Sequence, residues 1–489
     1  MAKLMARTNL FVPTLYPGLD IMLGQNVRDQ KTGELLATER GFRLGWQYVL
    51  GAKPGIGKTS FSIELASVAI KLGYPIKKVI IVDSDSSSPS PERISKLTKL
   101  PKEIVDEYFE VWDMNVVEDI TDKFVRLSNE YSKDKENQQY VEFDDPYSGD
   151  RVKMRPFYFI IMDTVTSMIA KRNSVESVKD KDSENVVANE GNMTAFLKLS
   201  GFVNDCTNFF DSNAIWLWNV HLKKNQKEIG KYQAEKEFKS SNSEVKLHMP
   251  ERLRQKASAI IIYNSIQDSQ NLDSPTHPIN AYGLEDVKSK SVYATTLILN
   301  KSRTGNEGRT QVRLLYIDGS FDNEMHLLST ALDLGILEKG SGMYPNAQTP
   351  HIFKADPDAV YENEVMGRRS KTTLVVRGYS RPTNIIEARL LMKYTGDNPE
   401  VCKARDEFIM ALYQRLEDVL WYELEINSIS AKEMETAKKK TEHLFSLLRN
   451  INRRQVLTAD EITSKAETEM PDTVYGIDNS VMNEVSLPN

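Results

Sequence analysis

Chemistry is densest in the segment GAKPGIGKTS, Gly51–Ser60. A short apolar run, Tyr48-Val49-Leu50, precedes it, and a helical pattern, Phe61 to Leu72, follows. A strand, a glycine turn, a Lys-Thr pair and a helix start make a cradle for phosphate. The free N–H groups of the first helical turn and the positive end of the helix dipole both face an anion. In this reading Gly51, Pro54, Gly55, Ile56, Gly57 and Ser60 form the loop. Lys58 adds a charge at the β- and γ-phosphates, and the Thr59 hydroxyl is a ligand for Mg²⁺. Ala52 stands where the G-x-x-x-x-G-K-[ST] pattern has its first glycine. The plain alternative is a turn carrying a solvated lysine.

Other residues gain meaning from that loop. Asp163 closes the apolar run FYFIIMD. On a strand expected beside the one that feeds the glycine turn, it would hold Mg²⁺ through the ion's water shell; alone, such an Asp is an ordinary turn or helix cap. VIIVDSDS, Val79–Ser86, brings Asp83 and Asp85 to another strand tip, the end of an open α/β sheet where ligands bind. Hydrolysis needs a carboxylate that orients water in line with the γ-phosphate. The strand is expected to end between the two, so at most one faces the phosphate. AIWLWNVHLKK, Ala214–Lys224, offers Asn219 and His221, either of which would sense the γ-phosphate and relay its presence to the loop behind.

That loop, Leu222–Lys256, has ten Lys/Arg against five Asp/Glu. Lys223, Lys224, Lys227, Lys231, Lys239, Arg252 and Arg254 are interleaved with Tyr232, Phe238 and His248. Such a mixture neutralises phosphates and stacks on bases, which suits single-stranded DNA; a solvated insertion is the alternative. Lys301 and Arg303 follow a later apolar run, in a turn from which two cations would reach a phosphate across a subunit boundary.

The elements that must carry these residues are legible as alternation. Apolar runs at Tyr48–Leu50, Val79–Val82, Phe157–Met162, Ala214–Trp218, Ala259–Tyr263, Thr295–Leu299 and Val312–Ile317 alternate with helical segments. This predicts an α/β fold with a twisted, mostly parallel sheet flanked by helices, its last strands antiparallel. Three segments read as loops: Lys133–Arg155, Lys171–Glu190 and Leu222–Lys256. Residues 1–45 read as an irregular N-terminal arm for oligomerisation, in which Val12–Gly24 is a turn and a short apolar helix. Residues 46–344 form the expected core and 345–465 a small, mostly helical C-terminal region. Within that region Pro345–Pro382 is irregular, and Cys402–Ile426 and Ala431–Ile451 are amphipathic helices. Residues 466–489, with five acidic and no basic side chains, read as a flexible tail.

Composition bounds the rest. A chain of 489 residues exceeds one core. Two cysteines, Cys206 and Cys402, exclude a disulfide framework and suit a reducing cytoplasm. No run of about 18 apolar residues predicts a membrane span, and the first residues lack a signal peptide's apolar stretch. A net charge of −6 excludes a protein basic throughout and leaves room for a local basic groove.

Taken in order, these segments resemble the RecA-type recombinases, most closely the UvsX-like recombinases of large bacteriophages. The resemblance covers about Val12–Tyr344. It implies a RecA-like P-loop NTPase core with ATP and Mg²⁺ as cofactors, Lys58 and Thr59 in the phosphate loop and Asp163 on the metal. Asp85 then holds the position of the water-activating glutamate, one methylene shorter. The first DNA loop falls at about Ile169–Glu190, with Lys171 and Arg172, and the second at Leu222–Lys256. Lys301 and Arg303 cap the ATP of a neighbouring subunit, and Leu327–Tyr344 is similar to the helix and following segment that close the family's core. The implied activity is ATP-dependent strand exchange in recombination and repair. Helical filaments form on single-stranded DNA, take up duplex during exchange, and work with single-strand-binding and mediator proteins. The N-terminal arm, anchored by Phe11, would dock on the adjacent subunit. The glycine turn itself is closer to that of the DnaB-type hexameric helicases, which makes a replicative helicase the second reading. A regulatory or assembly ATPase on the same fold is the third.

Overall fold

Period-two alternation along the apolar runs divides their side chains between two layers, and this decides the architecture. The computed structural model describes residues 10–14, 16–28, 31–32, 35–86, 89–133, 140–145, 151–171, 184–222, 247–266, 292–304, 311–317, 320–321, 323–333, 337–341, 372–376 and 383–384, with single residues between 392 and 412. Among them, no helix is long and apolar enough to cross a membrane.

The main sheet has nine strands. In chain order they are β1 (Gln47–Ala52), β2 (Ile76–Asp83), β3 (Phe109–Asp113), β4 (Phe157–Asp163), β5 (Ala214–His221), β6 (Ala259–Ile266), β7 (Val292–Ser302), β8 (Gln311–Ile317) and β9 (Ser320–Phe321). Their order across the sheet is β9-β8-β7-β6-β1-β5-β4-β2-β3. The six from β6 to β3 run parallel, and β7, β8 and β9 add on antiparallel at one edge. Thus the sheet is mostly parallel and the fold α/β, as the alternation predicted.

One face of the sheet carries Tyr48, Leu50, Phe157, Phe159, Ile161, Ile215 and Leu217, and packs with helix α1 (Lys58–Lys71). The other carries Val49, Tyr158, Ile160, Met162, Trp216 and Trp218. It packs with helices α4 (Val117–Lys133) and α5 (Glu184–Asp205). Two shorter helices, α2 (Pro91–Thr98) and α3 (Lys102–Tyr108), link β2 to β3. Ser90 caps α2 by accepting the Arg93 N–H at 3.3 Å, with proline at the first helical position. Helix α6 (Glu251–Lys256) precedes β6, and α7 (Asn323–Asp333) follows β9.

Several expectations are corrected. The Asp163 strand is not beside β1; β5 lies between them. Strand β3 escaped notice because FEVWD is short and its apolar run is broken by Glu110 and Asp113, although Phe109 and Trp112 are buried on opposite faces. The loop read at Lys133–Arg155 contains an antiparallel hairpin, Val141–Asp144 with Arg151–Met154. Helix α5 begins inside the loop read at Lys171–Glu190, and α6 lies inside Leu222–Lys256. In the N-terminal arm the short helix expected within Val12–Gly24 is present at Pro17–Leu23, but the arm is not otherwise irregular: Phe11–Val12 pairs with Phe42–Arg43, and Gln25–Arg28 with Leu35–Glu39. Phe11 is buried in its own chain, edge-on to Trp46 with ring centroids 6.3 Å apart. It is therefore not presented to a neighbour. Leu337–Ser341 pairs with Thr372–Val376, which pairs with Thr383–Asn384, so Pro345–Pro382 is not wholly irregular. Cys402, Arg405, Phe408, Ile409 and Leu412 are helical, the last three buried at helical spacing in the main core. Ala431–Ile451 and the acidic tail lie outside the described residues.

Candidate functional site

Parallel strands all present their C-terminal ends at one edge, and there the tips of β1, β2, β4 and β5 meet. A cavity of about 350 Å³ opens at this edge. Its wall is the turn from Pro54 to Ser60, closed by Asp85, Arg93, Thr164 and His221.

The turn owes its shape to two glycines. Gly55 and Gly57 have φ of 79° and 81°, the left-handed region. A Cβ on either would meet nothing within 4 Å, so backbone conformation and not space demands glycine. Ala52 continues β1 opposite His221 with no left-handed φ, so its methyl group is tolerated where the pattern has glycine. Gly51 makes room for a side chain: a Cβ there would stand 2.3 Å from Leu247 Cδ2, so that side chain would have to turn aside. Gly57 is the N-cap of α1 and offers no side chain to the first-turn N–H groups, which leaves them to an anion.

Lys58, 5% exposed, folds back on the turn. Its ammonium donates to the carbonyls of Ala52 (3.4 Å) and Lys53 (3.2 Å) and to His221 Nδ1 (3.2 Å). Burial lowers its pKa to about 8, against the opposing pull of the Asp163 and Asp85 carboxylates. Burial and the Lys58 charge together lower the pKa of His221 and favour a neutral imidazole that accepts at Nδ1.

Asp163 joins three elements. Its Oδ2 accepts from the Thr59 hydroxyl at 2.5 Å and its Oδ1 from the Asn219 amide at 3.0 Å. Asn219 Oδ1 in turn accepts from Ser62 of α1 at 2.9 Å. Burial pushes the Asp163 carboxyl above the usual carboxylate range, partly offset by these two donors and by Lys58. The donor set fits a nucleotide-bound Mg²⁺: a hydroxyl that lines the cavity and a buried carboxylate directly behind it, both hard oxygen donors. No cluster of three or more His, Cys, Asp or Glu among the described residues could cage a metal by itself. Mg²⁺ taking most of its ligands from phosphate and water needs none.

Of the two carboxylates at the tip of β2, Asp83 ends the strand and is buried, while Asp85, in the bend beyond, lines the cavity. Of the two sensor candidates, His221 lines the cavity, and Asn219 is fully buried beneath it on Asp163. Arg93 lines the cavity too and was not anticipated. Its signal was present in Ser90-Pro91, a helix start placed a few residues beyond the β2 tip, which returns the first turn of α2 to the same edge.

The remaining candidates lie elsewhere. Antiparallel β7 ends beside the beginning of β6, where Ser302 pairs with Ala259. Ala259 is in turn opposite Tyr48 at the start of β1. Lys301 and Arg303 are therefore at the opposite edge of the sheet from their own chain's cavity. Lys301 donates to the carbonyls of Arg254 (2.6 Å) and Gln255 (3.0 Å), and Arg303 to that of Lys256 (3.0 Å), at the negative end of α6. Lys171 pairs with Asp119 at 3.0 Å, Arg254 with Glu251 at 3.6 Å, and Arg252 donates to Asn204 at 2.6 Å. Arg172, Lys223, Lys224, Lys227, Lys231 and Lys239 lie outside the described residues. No family model matches this chain, and comparison with curated proteins found no match.

Proposed function

We propose that the cavity binds ATP with Mg²⁺ and hydrolyses it. We further propose that the chain is a RecA-type recombinase, closest in its motifs to the UvsX-like proteins, built on a RecA-like P-loop core. The observation that carries the hydrolytic reading is convergence. Lys58 and Thr59 of α1 and Asp85 from beyond β2 line one cavity, and Asp163 from β4 sits directly behind its wall, hydrogen-bonded to Thr59.

The first-turn N–H groups of α1 and the Lys58 ammonium hold the phosphate chain. Thr59 and Asp163 would hold Mg²⁺, which when bound neutralises the β- and γ-oxygens. Asp85 orients a water in line with the γ-phosphorus. The water oxygen forms a bond to phosphorus and the bond to the β–γ bridging oxygen breaks. ADP and inorganic phosphate leave, and the water's proton passes by way of Asp85 to phosphate or solvent. His221, hydrogen-bonded to Lys58 and one residue before the basic segment 222–256, would relay the state of the phosphates to that segment. Lys301 and Arg303, on the far edge of the sheet, would act on the nucleotide of a second copy, so ATP binding and subunit contact become one event. The basic segment supplies the DNA-phosphate contacts.

Lys58→Ala tests the site. The variant is expected to lose binding of a fluorescent ATP analogue and ATP hydrolysis together. Hydrolysis at the wild-type rate would sink the assignment.

A further inference from the structure

A threonine beside Asp85 has more hydrogen-bonding partners than a loop position needs. Thr164 directly follows Asp163, is 3% exposed, and lines the cavity. Its hydroxyl lies 3.3 and 3.5 Å from the two carboxylate oxygens of Asp85. It also lies 2.9 Å from the Thr166 hydroxyl and 3.2 Å from that of Ser167. The main chain of Thr164 is clamped from β2's side: the Ser84 hydroxyl donates to the Thr164 carbonyl at 2.6 Å and accepts its N–H at 2.9 Å. The Ser84 N–H donates to the Asp163 carbonyl at 2.7 Å, tying the tips of β2 and β4 together.

A carboxylate that orients water must be held to a fraction of an ångström, and a side chain in a bend has rotamer freedom to lose. Asp85 follows the end of β2 and has no ladder to fix it. Its own N–H donates to Asp83 at 3.1 Å, which sets the backbone but not the carboxylate. The hydroxyl that reaches both carboxylate oxygens is that of Thr164. Thr166 and Ser167, able to accept or donate, leave that hydroxyl's proton free to point at Asp85.

We infer that Thr164 is the positioning residue for Asp85: its hydroxyl donates to the carboxylate and fixes the direction from which water is presented, with Ser84 as the clamp that fixes Thr164. The inference rests on the hydrolytic reading of the cavity. It assigns Thr164 no contact with the reacting atoms, so its loss slows turnover and spares binding.

The test is a double-mutant cycle of Thr164→Val with Asp85→Asn, and Thr164→Ser as the conservative rescue. The readouts are kcat, KM for ATP, the Kd of a fluorescent ATP analogue and the thermal midpoint. Thr164→Val is expected to lower kcat about tenfold or more while KM and Kd stay within about twofold. Thr164→Ser should restore most of kcat, and in the Asp85→Asn background Thr164→Val should cost nothing further. Should Thr164→Val fail to fold, Ser84→Ala, which frees the clamped peptide, is expected to show the same kcat loss at unchanged Kd. A Thr164→Val enzyme with wild-type kcat, or additive losses in the cycle, would overturn the positioning role and leave the ATPase reading standing. A wild-type protein that binds no ATP would remove both.

Discussion

Lys58 is a cation kept where cations are costly. Its site is desolvated, the nearest acceptors are backbone carbonyls and a neutral imidazole, and its pKa falls to about 8. A phosphate chain supplies the charge that the site lacks and should raise that pKa on binding. Binding therefore takes up protons above pH 8, and affinity for ATP is expected to fall by up to about tenfold per pH unit there. Titration calorimetry in buffers of different ionisation enthalpy reads the uptake; an affinity constant from pH 7 to 9.5 would contradict the role. Gly57 makes a separate demand. Its φ of 81° is one that an L-residue enters at a cost of about 1–2 kcal/mol, so Gly57→Ala should lower unfolding stability by that amount in a denaturant melt. The lysine, threonine and glycines were legible in sequence because local spacing specifies them. Arg93 carried only the helix-start signal of Ser90-Pro91, and Thr164 carried none, because its place depends on which strand tips the sheet brings side by side.

At the scale of elements, β1 and α1 serve both site and core. Phe61, early in α1, meets Tyr16, Tyr263 and Phe321 with ring centroids 5.3, 5.8 and 5.2 Å away. Those rings come from the N-terminal segment, β6 and β9, so one side chain ties the helix that starts at the cavity to three distant segments. Phe61→Ala is expected to cost about 3–5 kcal/mol in a denaturant melt. Gly51 couples β1 to the basic segment through Leu247, which forms an isolated bridge with Leu222. Gly51→Ala should turn the Leu247 side chain aside, disturb its packing at that bridge and weaken single-stranded DNA binding more than ATP binding. Equal effects on both in parallel titrations would contradict this. The buried strands were legible because both their faces are apolar; β3 was not, because Glu110 and Asp113 break its short apolar run, nor the hairpin at 141–154, because polar alternation looks like loop. In the N-terminal segment the helix at Pro17–Leu23 was legible, but the strands were hidden by the turn residues Pro13, Gly24 and Gly41, which separate short apolar groups that meet only in the folded chain.

For the molecule as a whole, the decisive arrangement is the placement of cations on two edges of one sheet. Lys58 and Arg93 are at the edge with the cavity, and Lys301 and Arg303 are at the other. A single chain cannot bring both pairs to one nucleotide; copies stacked edge to edge can. The sequence suggested a partner across a subunit boundary for Lys301 and Arg303; which edge they occupy follows from β7 running antiparallel to β6. ATP would then bind between subunits, and assembly along DNA would depend on it. Electron microscopy of the protein with single-stranded DNA and a slowly hydrolysed ATP analogue tests this most directly. Wild-type protein is expected to form open helical filaments, and a Lys301→Ala/Arg303→Ala variant to form none while each chain keeps its fold. Closed six-membered rings, or filaments unaffected by loss of both cations, would contradict it.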